Sequence, residues 1–428
     1  GDRLSPTALY EFAAAIIRVP TVAMIYSDEL YPTSTPTPLP FYKPDWSPDY
    51  LESFDYVGCG AVFQMERVQD MSLQLTSIYD FTLRFTETLD GNLVVHLPKL
   101  LLERATPFAQ SETDDIILAM QGRLERTGRE GLVVTAPSGT NCHHARIRWP
   151  KQPDVSIIIP TAGYTKPVEG RDIDLIINIT EQISERSSYR AQEVIVVDNG
   201  DLTDRQKTHL QRLGCRRITF QEQAFNVAKK LNLGASIAGG DFLLLMNDDM
   251  EIIQSDWIER LCDQLAKPDV GVVGCRLLYP NRTTQHVGVI HYHGNPDHVR
   301  RGYPADDAGY FNSTCGVRNF VAVTGACMLT RRALYHQVGG YTPKLAVSYN
   351  DADYCLKVRA AGYRVVYTGD AELIHMESLS RVPSANPDEV RYYQEHWTPK
   401  LPEDPFYSER LLALAPPTFE PRINDRLL

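Results

Sequence analysis

At 428 residues the chain exceeds what one hydrophobic core usually supports, so two domains are expected. With 43% hydrophobic and 23% charged residues it is compositionally globular; a formal charge of −11, from 43 basic against 54 acidic residues, speaks against a general nucleic-acid binder and against an anionic membrane surface. No apolar run approaches the roughly 18 residues of a membrane-spanning helix, and Gly1-Asp2-Arg3-Leu4 lacks a signal-peptide pattern.

In chain order, Ser5 to Asp28 reads as a helix followed by the strand Val22-Ala23-Met24-Ile25. Residues 1–105 form a first block, and 106–150 a helical linker with short strands. Within that linker Ile116, Ile117, Met120 and Leu124 share one face of a helix over Asp114 to Arg126, and strand-like pieces follow at 132–134 and 145–148. From 151 to about 400 strand and helix signals alternate. Val155 to Ile159 is a β-branched strand stopped by Pro160, and Val194 to Val197 is a second one, ending in Asp198-Asn199-Gly200. Helices are expected over Ile173 to Ile183, Phe225 to Ala238 and Asp256 to Ala266, with strands over 241–246 and Val270 to Gly274. This alternation implies an α/β fold with a mostly parallel sheet and helices on both faces. The proline-rich stretch 401–428 reads as a tail.

The first block repeats part of the later one. Ser5 to Asp28 parallels Ser255 to Leu277, Tyr56 to Val62 parallels Val323 to Leu329, and Tyr79 to Arg84 parallels Asp353 to Lys357. It has no counterpart of the strands at 155–159 and 194–198, so 1–105 reads as a half-domain without a nucleotide-holding part, and the chain as a piece of a longer tandem protein.

The eight cysteines form no Cys-x-x-Cys pair and lie in apolar or mixed segments, which reads as reduced thiols in a cytosolic protein. Cys142-His143-His144 lacks the second ligand cluster that a zinc site needs. Asn247-Asp248-Asp249 follows the apolar run Phe242 to Met246. Acidic residues at the carboxyl end of a buried strand are placed where open α/β sheets bind ligands, and can hold a hard divalent cation; an ordinary acidic turn is the alternative.

Residues 151–400 resemble a family 2 glycosyltransferase of the GT-A fold, near the rhamnosyltransferase-like members of bacterial surface polysaccharide synthesis. The resemblance rests on ordered segments: Val155 to Thr161, Val196 to Gly200, Phe225-Asn226 through Gly234, Asn247-Asp248-Asp249, Gln285 to Gly288, Thr324-Gly325-Ala326, Asn350 to Asp353 and His375 to Ser378. It implies that Asp249 and His375 hold Mg²⁺ or Mn²⁺, with Asn247 standing where the family has a first Asp. It implies nucleotide contacts from Thr161, Asp198, Asn232, Asn247 and Asp248, and a general base at Asp351, with Asp353 the competitor. Sugar or acceptor contacts are expected from Gln285, His286, Gly325, Ala326, Asp353 and Arg381, with Tyr341 and Tyr349 available to stack on an acceptor ring. The implied reaction is inverting transfer from a UDP- or dTDP-linked sugar to a saccharide or lipid-linked glycan, in the cytoplasm or peripherally at the inner membrane face, with no nucleic acid involved. A nucleotidyltransferase is the first rival, although Pro160 to Lys166 makes a poor triphosphate loop. A non-catalytic glycan-binding or scaffold protein is the second.

Overall fold

The computed structural model describes residues 1–69, 71, 77–108, 113–136, 140–168, 170–190, 193–222, 224–377, 385–411 and 418. The chain divides into two compact units. One comprises Gly1–Arg148, Ala308–Asn319 and Asp404–Leu428; the other comprises Trp149–Asp307 and Phe320–Glu403. The segment expected as a linker therefore belongs to the first unit, where Ala119 and Met120 of its amphipathic helix join the core around Tyr26, Tyr50 and Leu83. The chain from Asp404 also belongs to that unit, with Phe406, Tyr407 and Leu411 buried.

The first unit is built on strands β1 (Arg3–Leu4), β2 (Met24–Tyr31), β3 (Leu39–Phe41), β4 (Ala61–Phe63) and β5 (Val94–Glu103), with helices α1 (Ala8–Arg18) and α2 (Ile78–Thr86). Helix α3 (Thr113–Arg126) and the hairpin of β6 (Gly131–Thr135) and β7 (His143–Ile147) also belong to it. β2 lies parallel to β5 and antiparallel to β3 and β4, and β5 carries β1 antiparallel on its other side. Within this unit Lys43 and Glu29 form an ion pair of 2.9 Å with both side chains fully buried, and Arg104 reaches the other Glu29 oxygen at 3.1 Å.

The second unit contains β8 (Val155–Pro160), α4 (Leu175–Arg186), β9 (Glu193–Asp198), β10 (Arg216–Thr219), α5 (Val227–Ile237), β11 (Phe242–Met246), β12 (Met250–Ile252), α6 (Trp257–Leu265), β13 (Val270–Leu278), β14 (Thr284–His286), β15 (Cys327–Arg331), α7 (Asn350–Ala360), β16 (Arg364–His375) and α8 (Pro387–Trp397). Continuous apolar runs make β8, β11 and β13 central strands, buried on both faces. The sheet order is β10-β9-β8-β11-β15-β13-β16-β12, with β14 on β13. β10, β9, β8, β11, β13 and β16 run in one direction; β12, β14 and β15 are reversed. The shared direction sets Thr161, Asp198, Asn247, Tyr279 and His375 along one edge, at or just past the carboxyl ends of their strands. Because β12 and β15 are reversed, Asp249 and Gly325-Ala326, which precede them, lie at the same edge. A hairpin of Thr165–Val168 and Arg171–Asp174, not foreseen from the sequence, follows β8 there. Among the described residues no helix is long and apolar enough to cross a membrane.

The half-repeat extends to every pairing of the first unit's five-stranded sheet. β1, α1, β2, β3, β4, α2 and β5 match β12, α6, β13, β14, β15, α7 and β16 in chain order, and each pairing has the same sense in both units. In both, the central parallel pair is interrupted by a register shift, at Ser27–Glu29 and at Cys275–Arg276.

α5 lies against the sheet at Gly234, where a Cβ would run into the Ile158 side chain and meet Val197 Cγ2 at 3.2 Å. Replacing Gly234 by valine should lower stability by about 1–3 kcal/mol through overpacking. Urea unfolding measures this, and an unchanged midpoint would mean that the helix does not need so close an approach.

Candidate active site

The pairing of β8 with β11 sets two strand ends side by side. Thr161 Oγ1 there donates to Asp248 Oδ2 at 2.5 Å. The pairing of β12 with β16 places Met250 opposite His375, and Met376 N donates to Asp249 O at 2.8 Å. His375 Nε2 consequently lies 2.9 Å from Asp249 Oδ1 and 3.3 Å from Asn247 Nδ2. Lys166, from the hairpin after β8, reaches Asp249 Oδ2 at 3.4 Å. The buried ammonium of Lys230, on α5, donates to Thr161 O at 2.8 Å.

Two cavities open on this edge. One of about 460 Å³ is lined by Thr161, Lys166, Lys230, Asn247, Asp248 and Asp249 among others. One of about 660 Å³ is lined by Asn247, Arg301, Thr324, Tyr349, Asp351 and His375 among others. Phe225, Val227 and Asn247 contribute to both. Asp351 sits in the first turn of α7. Gly325 N donates to its Oδ2 at 2.9 Å and Ala352 N to its Oδ1 at 2.8 Å. Tyr349, just before that helix, has a left-handed backbone (φ 61°), strained for a residue with a side chain.

The two adjacent carboxylates titrate in opposite directions. Burial, aided by the charge of Asp249, pushes Asp248 up to about 6 against the hydrogen bond from Thr161. Burial would raise Asp249 too, but His375 and Lys166 outweigh it and hold this acid at about 2. His375 is raised: Asp249 and Glu377 overcome the burial that opposes its charge. Burial raises Asp351 above the usual carboxylate range, against the N–H groups of Gly325 and Ala352. Such an arrangement can bind phosphate through lysines, hold a cation between a carboxylate and an imidazole, and accept a proton at Asp351.

Residues 156–339 match the family model described as glycosyl transferase family 2. These residues form a family 2 glycosyltransferase domain. The chain is 33% identical over 441 residues to an uncharacterized protein, y4gI, of Sinorhizobium fredii (strain NBRC 101917 / NGR234), covering 96% of this chain and 47% of that one. It is 31% identical over 441 residues to the O-antigen biosynthesis protein RfbC of Myxococcus xanthus, covering 97% of this chain and 33% of that one. The chain thus spans about half and a third of the length of these relatives. Among solved structures, a mannosyltransferase from Pyrobaculum calidifontis in complex with GDP-Man and Mn²⁺ is similar with a TM-score of 0.38 and 17% identity, over 66% of this chain and 78% of that one. The mixed α/β architecture with cavity-lining residues on one sheet edge is that of the expected GT-A fold, and the family 2 match sets the nucleotidyltransferase rival aside.

Of the expected site residues, Thr161, Asn247, Asp248, Asp249, Gln285, His375 and Asp351 line the two cavities. Asn232 lines neither, which corrects its expected place at the nucleotide. Its Oδ1 accepts from Tyr335 OH and Tyr341 N at 2.7 and 2.9 Å, and its Nδ2 donates to Tyr341 O at 2.8 Å, so the amide fastens α5 to the segment that follows β15. Asp198 also lines neither; it is fully buried and accepts from Gly200 N and Thr219 Oγ1 at 2.5 and 3.1 Å. Asp353 is committed to Thr342 Oγ1 at 2.6 Å and Trp397 Nε1 at 2.9 Å, which removes it as a competing base. His286 is buried against His298, their Nδ1 atoms 3.2 Å apart, and is held neutral by burial. Gly325 acts on Asp351 instead of lining the acceptor path: its N–H holds the carboxylate, and a Cβ there would sit 3.2 Å from Asp351 Cβ. Ala326 accepts through its carbonyl from Asn247 N at 3.0 Å. Tyr341 is buried and stacked on Tyr354 at 5.2 Å, whereas Tyr349 does line the larger cavity. Arg381 lies outside the described residues.

Sequence reasoning missed Lys166, Lys230 and Glu377 as site residues. Lys230 was detectable as the cation four residues before Gly234, on the side of α5 that lies against the sheet. Replacing Asp353 by alanine should destabilise the protein by about 1–3 kcal/mol, because Trp397 and Thr342 lose a buried acceptor, while nucleotide binding by the folded protein persists. Urea unfolding followed by nucleotide titration tests both halves; loss of binding in a normally stable variant would return Asp353 to the site.

Proposed function

We propose that the second unit is an inverting, metal-dependent glycosyltransferase that moves a sugar from a UDP- or dTDP-linked donor to a saccharide or lipid-linked glycan acceptor in polysaccharide assembly. The observation that carries this reading is Asp351, a carboxylate raised by burial in the wall of the larger cavity. That cavity shares Asn247 with the smaller one, where two lysines and two aspartates meet. The smaller cavity takes the nucleoside diphosphate: Lys166 and Lys230 supply charge to phosphate oxygens, and Thr161 and Asp248 offer hydrogen-bonding groups beside them. The larger cavity takes the acceptor, with Tyr349 available for a sugar ring.

Asp249 Oδ1 and His375 Nε2, 2.9 Å apart, converge as a hard oxygen and an imidazole donor. Among the described residues no group of three His, Cys, Asp or Glu side chains forms a cation cage. Two protein ligands suit Mg²⁺ or Mn²⁺ bound together with substrate phosphates and water. When bound, the cation neutralises charge that builds on the departing diphosphate. Asp351 takes the acceptor hydroxyl's proton as that oxygen forms its bond to the anomeric carbon from the face opposite the departing diphosphate, and the carbon–oxygen bond to the diphosphate breaks. The O-antigen role named for the Myxococcus relative supports polysaccharide assembly as the setting, and work at the cytoplasmic membrane face fits a lipid-linked acceptor.

The first test is a thermal-shift screen of nucleoside diphosphates with and without Mn²⁺, since selective binding to the folded state raises its melting temperature. With the stabilising nucleotide in hand, Asp351→Asn should keep that shift and lose transfer by roughly 10²–10⁴-fold; unchanged turnover would sink the base assignment. The wild-type transfer rate should fall with acid at a midpoint above the ordinary aspartate value of about 3.9, because the base works only when deprotonated and burial raises its pKa. Asp248 titrates higher than usual as well, so the same acid limb should persist in Asp248→Asn if it belongs to Asp351.

A further inference from the structure

The cation corner has a polarity that its two ligands do not by themselves explain. β14 presents Gln285 and His286 to opposite sides, as strand alternation requires. His286 goes to His298, and Gln285 goes to His375. Gln285 Oε1 lies 2.8 Å from His375 Nδ1, and Gln285 Nε2 lies 3.1 Å from Glu377 Oε2. A carboxylate only accepts hydrogen bonds, so the Gln285 amide must turn its NH₂ toward Glu377 and its carbonyl toward the imidazole. Reversing the amide would set its carbonyl oxygen against the carboxylate and lose that bond. A carbonyl oxygen also only accepts, so His375 Nδ1 must carry the hydrogen. Nε2 is then the nitrogen that faces Asp249 Oδ1 at 2.9 Å, donating to it while no cation is bound and offering its lone pair to a cation that takes that place.

We propose that Glu377 and Gln285 are positioning residues that fix His375 in its Nδ1–H tautomer and so present Nε2 to the cation. This rests on the metal-dependent reading above. Neither residue needs to touch donor or acceptor for the relay to act, although both line the larger cavity. The reassignment changes the expected role of Gln285 from a sugar contact to a group that acts through the imidazole.

The test is a Mn²⁺ titration followed by electron paramagnetic resonance, run with UDP or dTDP, whichever stabilises the wild-type chain. Gln285→Leu should weaken Mn²⁺ binding by roughly 10–100-fold and leave metal-free nucleotide affinity unchanged. Gln285→Glu alone sets two carboxylates face to face and should weaken Mn²⁺ as well. The double exchange Gln285→Glu with Glu377→Gln restores the polarity, since residue 285 again accepts from Nδ1–H and residue 377 donates, and should recover most of the affinity. Imidazole ¹⁵N spectra of the Mg²⁺–nucleotide complex should show hydrogen on Nδ1 of His375. Wild-type Mn²⁺ affinity in Gln285→Leu beside a weakened His375→Ala would overturn the relay and leave the metal reading intact, as would hydrogen on Nε2. Wild-type affinity in His375→Ala would overturn the metal reading itself. If Gln285→Leu does not fold, the double exchange and the spectra decide.

Discussion

Two carboxylates adjacent in sequence, at the end of a strand buried on both faces, cannot both be ionised there without compensation. The structure resolves this by giving them opposite surroundings. Asp249 turns toward His375 and Lys166 and stays ionised, held at about 2; Asp248 turns toward the Thr161 hydroxyl and rises to about 6. This separation depends on two strand pairings. β8 beside β11 supplies the hydroxyl, and β12 beside β16 supplies the imidazole. A shift of either register by one residue would turn the partner side chain to the other face of the sheet. The sheet therefore sets the charge state of the site as much as its shape.

The partial repeat within the chain separates what the fold needs from what the chemistry needs. Helices α2 and α7 occupy equivalent places, and each carries a buried aspartate paired one turn on with a cation: Asp80 with Arg84 at 3.0 Å, Asp353 with Lys357 at 3.6 Å. Aligning these pairs puts Ile78, half exposed, where α7 has Asp351. The aspartate common to both units is the one committed to internal hydrogen bonds. The aspartate present in only one unit is the one lining a cavity. A fold requirement would have been met in both copies, so the difference marks Asp353, and not Asp351, as the aspartate that the fold shares between its copies.

Much of this was legible in the sequence, and the boundary is physical. Continuous apolar runs identified β8, β9 and β11, and the rule that α/β sheets bind ligands past their strand ends located Thr161 and Asn247 to Asp249. The order of three weak matches was enough to find the repeat. What failed were polar residues whose partners lie far along the chain. Helical spacing says which face Asn232 and Asp353 occupy, but not that Tyr335 and Tyr341 meet the first, or Trp397 the second. The reversed strands β12, β14 and β15 were also beyond reach, because direction is decided by connections that periodicity does not encode. The longer strand β13, of 9 residues, was seen only in part, since Arg276 near the sheet edge interrupts its apolar pattern.

Gly325 lies where a small residue matters to Asp351 and not to a sugar. A small residue near an acceptor suggests clearance for a sugar, yet the cramped side here is the one facing Asp351 and Tyr341. The absent side chain lets a backbone N–H approach the carboxylate to 2.9 Å. That bond orients the carboxylate, and it also opposes the rise in pKa that burial causes. A base must hold its proton weakly enough to be free at working pH and strongly enough to take one from a hydroxyl. Burial and the Gly325 N–H act in opposite directions on that balance, and the glycine is what allows both to act on one carboxylate.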